Sequence, residues 1–452
     1  MKILIAGDGK VGSTLARQLS AEGYDLVLID SDMRVLEQTE EQYDILAVQG
    51  NCASMKTLRQ ADVEHADLLI ACTGTDEVNL LCCMTAHQIN PKIHTIARIR
   101  DPEYAEQAYE MRDAFALSMT FNPEKQAAQE IERLLKYPGF LKRDAFVNGK
   151  VEIAELLIDE KSKLCNVPLT SISSIVKCQF LVCTILRGDK AITPNGRSIL
   201  RAGDRIFVTA PADQLAILLK NIGIVRHKVH NLLIAGGGMV SYYLAQRLQK
   251  SSIKVHMIEK DLERCKKLAE LLPNTNIVHG DVINQAFLES EGFSTYDALA
   301  SLTGFDELNM IVSLYGDSCG IPQIITKLGH VENAKVTNHL PIGSVICPRK
   351  LCCNNIVRYV RAMQNQTGAA LSIHSIAEGQ AEAMEFEVDE NTLHCGESLR
   401  RIKLKKDILI VSITHSGYVE IPNGDSAFHP GDRIVIVSSA GEVILQLNDI
   451  FA

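Results

Sequence analysis

The stretch Lys2-Ile-Leu-Ile-Ala-Gly-Asp-Gly-Lys-Val-Gly12 decides the fold of the N-terminal part of this chain. Its apolar residues Ile3–Ala6 are typical of a buried parallel strand, and the spacing Gly7-x-Gly9-x-x-Gly12 follows directly. Glycines permit a tight turn that brings backbone N–H groups close to a phosphate, and the next helix adds partial positive charge at its N-terminus. The stretch therefore predicts a Rossmann-type nucleotide site.

The same pattern returns in the second half of the chain, as Asn231-Leu-Leu-Ile-Ala-Gly-Gly-Gly238. Two further segments are also repeated: residues 67–77 return at 297–307, and residues 203–208 return at 431–436. A fixed spacing between repeats indicates that one structural unit has been duplicated. We therefore interpret the 452 residues as two copies of one unit.

Each copy has two parts with different patterns. The first part alternates short apolar runs with helical periodicity, which predicts a parallel sheet with right-handed crossovers. The second part has strand-like runs separated by turns such as Pro194-Asn195-Gly196 and Pro422-Asn423-Gly424, which indicates a small α+β domain. The predicted fold class is α/β, with Rossmann-like domains over 1–137 and 226–365 and small α+β domains over 138–225 and 366–452.

The strands predicted from these patterns are, in the first copy, Ile3–Ala6, Leu26–Ile29, Leu46–Val48, Leu68–Cys72, Ile93–Ala97, Glu152–Asp159, Phe180–Leu186 and Arg205–Thr209, and, in the second small domain, Ala383–Val388, Ile408–Thr414 and Arg433–Val437.

A helix with clear start and stop signals joins the two parts of each copy. Asn122 is a candidate N-cap, Pro123 suits the first helical position, and Pro138-Gly139 should end the helix. The second copy of this helix begins at Pro348. Each helix carries one apolar stripe, which packs either inside the chain or against another subunit.

Candidate ligand contacts follow the strands, because ligands of such sheets bind at the carboxyl ends of the strands. Asp30 ends the second strand, where a carboxylate accepts hydrogen bonds from ribose hydroxyls and disfavours a 2′-phosphate, so NAD is expected over NADP. Arg98 and Arg100 end the fifth strand and could hold a terminal phosphate, or could pair with nearby carboxylates. The predicted cofactor-binding residues of the first copy are Gly7, Asp8, Gly9, Lys10, Val11, Gly12, Asp30, Asn51, Cys52, Thr73, Gly74, Arg98 and Arg100.

The second copy keeps most of this pattern with specific changes. Ser241 stands where Gly12 would be, and its bulk should open the turn slightly. Lys327 and Gly329 replace the two arginines, which leaves one point charge in place of a guanidinium pair. The predicted contacts here are Gly236, Gly238, Met239, Val240, Glu259, Asp281, Val282, Thr303 and Lys327.

Composition excludes several classes of function. The formal charge of −9 disfavours a protein that coats nucleic acid. No apolar run reaches the roughly 18 residues of a spanning helix, and no signal peptide is recognisable, so a soluble cytosolic chain is expected.

The 13 cysteines form no C-x-x-C pair. Cys347, Cys352 and Cys353 could bind a soft metal, but buried apolar packing is the simpler interpretation, and no metal site is predicted.

Catalytic residues are not recognisable. A hydride-transfer enzyme needs a proton donor or acceptor beside the nicotinamide, yet residues 138–225 contain neither His nor Tyr. The histidines of the second small domain, His374, His394, His415 and His429, align with Phe146, Asn166, Arg187 and Arg201 in the first. A non-enzymatic protein is therefore predicted, with an NAD-dependent oxidoreductase as the competing hypothesis.

The whole chain resembles the TrkA family of tandem RCK (KTN) domain proteins. The resemblance is carried by residues 5–12, 73–79, 97–104, 201–204 and 429–432. It implies a cytoplasmic regulatory subunit that binds NAD(H), ATP or ADP in the Rossmann crevice. It also implies a ring of RCK domains, built as a dimer or tetramer, that lies on the inner face of the membrane and gates a TrkH-like potassium-translocating subunit. Regulation of another RCK-gated potassium channel or antiporter is the remaining alternative.

Overall fold

The computed structural model describes residues 1–136, 140–188, 190–211, 214–222, 228–329, 340–363, 370–377, 380–439, 444 and 446–452. Two compact units divide the chain: residues 1–128 with 347–359 form one, and residues 129–346 with 360–452 form the other. None of the helices in these ranges has the length and apolar character that a bilayer-spanning helix needs. The predicted domain borders near 137, 225 and 365 lie outside the described residues and stay predictions.

The first unit contains a six-stranded parallel sheet in the order β3-β2-β1-β4-β5-β6. The middle residues of β1, β2 and β4 are apolar and buried, as is typical of a parallel sheet covered on both faces. The strands are β1 (Lys2–Ala6), β2 (Asp25–Asp30), β3 (Leu46–Gln49), β4 (Leu68–Ala71), β5 (His94–Arg98) and β6 (Met119–Phe121). The helices are α1 (Lys10–Ala21), α2 (Met33–Glu40), α3 (Met55–Gln60), α4 (Asp76–Ile89), α5 (Pro102–Glu110) and α6 (Pro123–Lys136).

The second unit contains the matching parallel sheet, in the order β14-β13-β12-β15-β16-β17. The strands are β12 (Asn231–Ala235), β13 (Lys254–Glu259), β14 (Thr275–His279), β15 (Ala298–Ser301), β16 (Gln323–Lys327) and β17 (Ser344–Ile346). The helices are α8 (Met239–Leu248), α9 (Leu262–Leu271), α10 (Gln285–Ser290), α11 (Asp306–Ser318) and α12 (Pro348–Met363).

Two five-stranded antiparallel sheets form the small domains, in the orders β10-β9-β11-β8-β7 and β18-β19-β22-β20-β21. The first has β7 (Lys142–Phe146), β8 (Val151–Leu157), β9 (Leu181–Arg187), β10 (Lys190–Ile192), β11 (Arg205–Pro211) and helix α7 (Leu215–Ile222). The second has β18 (Ser372–Ile376), β19 (Ala381–Glu387), β20 (Ile408–His415), β21 (Tyr418–Glu420) and β22 (Arg433–Ser438).

The two small sheets share one hydrophobic core. Phe146 and Phe207 of the first sheet lie in the same cluster as Val411 and Val435 of the second. Alternating residues of an antiparallel strand face one side of the sheet, so each sheet can present an apolar face to the other. The predicted fold class, a duplicated Rossmann-like domain with a small α+β domain, is confirmed.

The joining helices start as predicted. Asn122 accepts a hydrogen bond from the backbone N–H of Lys125 at 2.8 Å, and Pro123 is the first residue of α6. The predicted stop at Pro138-Gly139 lies outside the described residues. The apolar stripe of α6 consists of Ala127, Ala128, Ile131, Leu134 and Leu135. All five are buried, which supports packing inside the chain.

The joining helices also exchange partners between the two copies. The first three turns of α12 belong to the first unit, where the Cys353 thiol points at the carbonyl of Val11 on α1 and Asn355 donates to Gln126 at 2.9 Å. The last two turns of α6 belong to the second unit, where Gln323 donates to the carbonyl of Leu134 at 2.8 Å. Neither exchange is encoded in local sequence.

The cysteines near the start of α12 are buried apolar side chains. Cys352 donates a weak hydrogen bond to the carbonyl of Arg349 at 3.1 Å, and burial raises the pKa of the Cys347 thiol. The side chains of Cys347, Cys352 and Cys353 are all buried, as the packing interpretation expects.

Candidate nucleotide site

The candidate site lies where the strand order of the first sheet reverses direction. Ala6 pairs with Ile29 on one side and with Ala71 on the other, and Ala71 pairs with Ala97. The carboxyl ends of β1, β2, β4 and β5 therefore meet at one edge. This topological switch point is where open parallel sheets bind ligands.

The glycine turn after β1 is constrained at its first and third positions. Gly7 has a φ of +103°, and a Cβ there would lie 3.0 Å from the backbone of Thr73. A Cβ on Gly12 would lie 1.8 Å from the carbonyl oxygen of Gly7. Gly9 has open space around its Cβ position. The first and third glycines thus shape the turn, whereas the second keeps an opening above it.

Helix α1 begins at Lys10, and its first intrahelical hydrogen bond runs from Ser13 N–H to the carbonyl of Gly9 at 3.0 Å. The N–H groups of Lys10, Val11 and Gly12 precede that bond, so the helix itself does not use them. These N–H groups suit an anion at the helix N-terminus.

Asp30 is fixed at the end of β2 by the backbone. Its carboxylate accepts hydrogen bonds from the N–H of Asp8 at 2.7 Å and of Asp32 at 3.0 Å. The second copy repeats this geometry, because Glu259 accepts from Gly237 at 2.6 Å and from Asp261 at 2.8 Å. Both carboxylates are therefore positioned beside the glycine turn, as the sequence predicts.

Asp8 is one of the predicted ligand contacts, and that role stays a prediction. Its side chain is buried and accepts a hydrogen bond from the Thr39 hydroxyl at 2.7 Å. Burial, together with the nearby Asp30 carboxylate, raises the pKa of Asp8 to about 6. In the second copy Gly237 takes this place, and a Cβ there would lie 2.6 Å from Leu268 and 3.0 Å from Glu259. Leu268 and the longer Glu259 thus occupy space that Gly237 leaves open.

A buried asparagine connects the ends of β4 and β5. Asn79 accepts hydrogen bonds from the N–H and hydroxyl of Thr73, at 2.8 and 2.7 Å, and donates to the carbonyl of Arg98 at 2.9 Å. Asn309 makes the same three bonds to Thr303 and Lys327, at the same distances. Sequence reasoning missed this role, although Asn79 and Asn309 occupy matching positions in the repeat.

The two arginines of the first copy have carboxylate partners. Arg98 donates through Nη2 to Glu124 at 3.1 Å, and both side chains are largely buried. The Nε of Arg98 is buried without a hydrogen-bond partner among the described residues. Arg100 lies 3.5 Å from Asp76 and donates to the carbonyl of Gly74. The carboxylate pairing that the sequence left open is therefore present.

Lys327 and Gly329 form a simpler arrangement in the second copy. The Lys327 ammonium lies 3.3 Å from the carbonyl of Leu302, and the N–H of Gly329 donates to Asp306 at 2.7 Å. The N–H of Arg100 makes the matching bond to Asp76 at 2.8 Å. The backbone geometry is shared, and at these two positions only the first copy carries guanidinium groups. In the second copy a guanidinium reaches the glycine turn from elsewhere, because Arg264 donates to the carbonyl of Gly237 at 2.9 Å.

The residues after the third strand contribute mainly to local structure. Asn51 accepts a hydrogen bond from the N–H of Ala53 at 3.0 Å, and Asp281 accepts one from Ile283 at 3.1 Å. That backbone hydrogen bond, with nearby Lys260, lowers the pKa of Asp281. The side chains of Cys52 and Val282 lie in the hydrophobic cores, and their contact with a ligand stays a prediction.

The turn of the second copy accommodates Ser241 without a change of conformation. Gly236 has a φ of +96°, close to that of Gly7, and Ser241 is buried with its hydroxyl donating to the carbonyl of Gly236 at 2.5 Å. Helix α8 begins at Met239, followed by Val240, as α1 begins at Lys10. The expected opening of the turn is therefore not needed, because a hydrogen bond replaces the close contact. Gly238 has open space around its Cβ position, as Gly9 does.

A further positive charge reaches the first turn from the other end of the chain. Arg349, the second residue of α12, lies 3.4 Å from the carbonyl of Lys10. Sequence reasoning missed Arg349 because its partner lies more than 300 residues away. No local pattern predicts that contact.

The duplicated Rossmann-like sheets, with exchanged helices and packed small sheets, define a tandem RCK architecture. The sequence matches the TrkA-N domain family over residues 3–117 and 232–348 and the TrkA-C domain family over residues 153–223 and 383–451. The chain belongs to the TrkA family.

Relatives match over the full length. A Trk system potassium uptake protein TrkA homolog from Archaeoglobus fulgidus is 32% identical over 100% of both chains. The Trk system potassium uptake protein TrkA of Azorhizobium caulinodans is 28% identical over 98% of this chain and 97% of its own. These relatives are potassium uptake proteins rather than enzymes, which confirms the expectation of a non-enzymatic protein.

Solved structures share the fold. The GsuK channel bound to NAD is similar over 97% of this chain and 76% of its own, with a TM-score of 0.61 and 16% identity. The human SLO3 gating ring is similar over 98% of this chain and 100% of its own, with a TM-score of 0.50 and 12% identity. At such identities, the similarity establishes the tandem RCK fold.

Proposed function

We propose that this chain is a cytoplasmic, nucleotide-sensing regulatory subunit of a potassium uptake system. In this proposal it binds NAD(H), ATP or ADP at the edge of each Rossmann-like sheet. It assembles with further copies into a ring on the inner face of the membrane, and the ring gates a TrkH-like potassium-translocating subunit. The proposal includes the division into domains at 1–137, 138–225, 226–365 and 366–452.

The observation that carries the proposal is the duplicated turn geometry at two equivalent sheet edges. Both copies combine a left-handed first glycine, an open second glycine and a carboxylate fixed by backbone N–H groups. Helix N-terminal N–H groups favour a phosphate, and the carboxylate favours ribose hydroxyls. A dinucleotide or adenine nucleotide combines these two groups. GsuK has been solved bound to NAD and to ADP, which supports the same ligand classes for this chain.

The first copy carries features that suit a longer phosphate chain. Arg98, Arg100 and Arg349 all belong to this edge, and the buried Nε of Arg98 has no hydrogen-bond partner among the described residues. A buried donor without a partner costs free energy that a phosphate oxygen would recover. At the positions of Arg98 and Arg100 the second copy has Lys327 and Gly329, and the guanidinium near its turn, that of Arg264, donates to the carbonyl of Gly237. We therefore infer that the first copy distinguishes ATP from ADP and the second does so less.

Gating follows if the two nucleotides bind the ring states with different affinities. A ligand with equal affinity for both states shifts nothing, however tightly it binds. The contact of α12 with α1 places a helix of the second copy against the turn of the first. A nucleotide that engages Arg349 would thereby bias the packing of α12. The same logic applies to any RCK-gated channel or antiporter, and the full-length match to Trk system proteins favours the Trk partner.

The test uses a matched pair of substitutions, Gly9→Asp and Gly238→Asp. Both positions have open space for a Cβ, so the variants should fold, while a carboxylate at the turn repels phosphates. In isothermal titration with ATP, Gly9→Asp should lose binding at the first-copy site, which has the higher preference for ATP over ADP. Gly238→Asp should lose binding at the second-copy site. Unchanged affinity and stoichiometry in both variants would overturn the site assignment.

A further inference from the structure

The second small domain contains a cluster of potential metal ligands that the nucleotide site does not use. His415, His429 and Asp432 place one ligand atom each within 4.8 Å of the others. His415 Nδ1 lies 2.8 Å from Asp432 Oδ2, and His429 Nδ1 lies 3.8 Å from the same oxygen. His415 is the last residue of β20, His429 lies in the turn before β22, and Asp432 immediately precedes β22.

These distances are close to those of a bound metal ion. Zinc bonds to imidazole nitrogen and carboxylate oxygen are about 2.0–2.2 Å long, so the ligands of a tetrahedral ion lie about 3.3–3.6 Å apart. The observed separations from Asp432 fall on both sides of that range, and shifts of about half an ångström would match it. The His429 side chain is 61% exposed, so it has room to make that shift.

The surrounding residues fix the ligands as they do in metal sites. The other ring nitrogen of His415, Nε2, lies 3.3 Å from Glu420 Oε2. A carboxylate in this position holds the proton on Nε2 and leaves Nδ1 free to bind a metal. Glu420 is held in turn by the Ser426 hydroxyl, and Asp432 Oδ2 accepts the backbone N–H of His429 at 2.7 Å. The ligands are therefore oriented before any ion binds.

The first small domain shows what the cluster replaces. There Arg187 donates through Nε and Nη2 to Asp204, at 2.8 and 2.7 Å, and Asp204 is almost completely buried. Asp432 is likewise buried, but its partner is an imidazole, which carries a full charge only when protonated. A buried carboxylate is costly without a cation beside it. A divalent ion at the cluster would supply the charge that Arg187 supplies in the first copy.

We propose that His415, His429 and Asp432 form a Zn²⁺ site, with the fourth coordination position open to solvent. Two imidazole nitrogens and one carboxylate are a typical zinc ligand set, whereas Mg²⁺ and Ca²⁺ prefer oxygen ligands. The ion would fasten the end of β20 to the turn before β22. The stability of the second small domain would thus depend on zinc, while that of the first depends on its Arg187–Asp204 pair. This site is independent of the nucleotide proposal.

The test measures zinc bound by the full-length chain, using variants that copy the first domain. His415→Arg and His429→Arg introduce the residues found at the matching positions Arg187 and Arg201, so both should fold. His394→Asn copies Asn166 and serves as the control outside the cluster. In equilibrium dialysis after chelator treatment, wild type and His394→Asn should bind one more Zn²⁺ per chain than either arginine variant. All these proteins keep the same cysteines, so any zinc bound by cysteines cancels when their zinc contents are compared.

A second measurement separates the metal site from a plain ion pair. Zn²⁺ should raise the melting temperature of the wild-type chain and of His394→Asn, and should leave that of His415→Arg unchanged, while Mg²⁺ should raise none of them. Equal zinc stoichiometry in wild type and both arginine variants would overturn the proposal. So would a wild-type chain without a zinc-dependent melting shift, because the cluster would then be only a set of contacts between His415 and the carboxylates of Glu420 and Asp432.

Discussion

At the scale of single residues, the two copies differ most in how they place charge near the nucleotide turn. Arg98 and Glu124 form a largely buried pair, and the Arg98 Nε lacks a hydrogen-bond partner among the described residues. Lys327 carries one point charge, and its ammonium lies 3.3 Å from the carbonyl of Leu302. A planar guanidinium can hold two phosphate oxygens, whereas an ammonium cannot do so in a fixed geometry.

The Arg98→Ala substitution tests this difference. A charge-assisted hydrogen bond contributes about 1.5–3 kcal/mol, so affinity for ATP should fall roughly ten- to hundredfold, and affinity for ADP should fall less. Lys327→Ala is the matched variant in the second copy and should change the ATP-to-ADP ratio less. Titration calorimetry of Arg98→Ala in a Gly238→Asp background measures the first site alone. The same measurement of Lys327→Ala in a Gly9→Asp background measures the second site alone. A retained ATP preference in Arg98→Ala would make Arg98 a purely structural partner of Glu124.

Asp8 gives a prediction about pH. Burial raises its pKa to about 6 from an ordinary value of 3.8. The native state therefore holds its proton more tightly than the unfolded chain, and stability falls as pH rises through this interval. In Asp8→Asn the residue carries no titratable proton. The stability of the variant relative to wild type should rise between pH 4 and pH 7, by as much as about 3 kcal/mol, and then level off.

Urea denaturation of both proteins across that pH range measures the difference. The Asn side chain retains an oxygen for the Thr39 hydroxyl, so the hydrogen bond itself is preserved. Parallel stability curves for the two proteins would show that Asp8 has an ordinary pKa.

At the scale of elements, the joining helices decide how the two copies are connected. The first three turns of α12 are packed in the first unit and the last two turns of α6 in the second. Ile356 on α12 and Leu134 on α6 are both completely buried. Each helix therefore stabilises a sheet that belongs to the other copy.

Truncating these two side chains should destabilise opposite copies. Replacing a buried Ile or Leu by Ala costs about 2–5 kcal/mol through lost burial and a cavity. Ile356→Ala should speed amide hydrogen exchange in the first Rossmann-like domain, around α1. Leu134→Ala should speed it in the second, around β16. Faster exchange confined to each helix's own copy would contradict the exchanged arrangement.

At the scale of the whole molecule, the proposal requires that nucleotide identity changes potassium flux. With the membrane partner reconstituted in vesicles, wild type should give different fluxes with ATP and with ADP. Arg98→Ala should lose that discrimination while the chain still co-purifies with the membrane partner. Loss of co-purification would mean that the substitution affects assembly rather than sensing. Unchanged discrimination would place the switch away from the Arg98 edge.

The sequence determined the architecture because the deciding signals are local and repeated. Strand and helix periodicity, the two glycine turns and the second copy of each segment predicted both parallel sheets and both small domains. The N-cap at Asn122 was also predictable, because it acts within its own helix start. The carboxylates at Asp30 and Glu259 were predictable from their position at the end of the second strand, although each also accepts a hydrogen bond from a glycine turn 22 residues away.

Only the tertiary structure decided which distant groups meet. Arg349 reaches the turn at Lys10 because helix α12 packs in the other copy, and no local periodicity encodes that partner. The burial of Asp8, the pairing of Arg98 with Glu124, and the approach of His415 to Asp432 likewise depend on packing between segments far apart in sequence. A side-chain pattern specifies which face of an element is buried. Which element packs against that face depends on how all the elements of the chain pack together. At the sites of this protein, that packing also determines where the charged side chains lie.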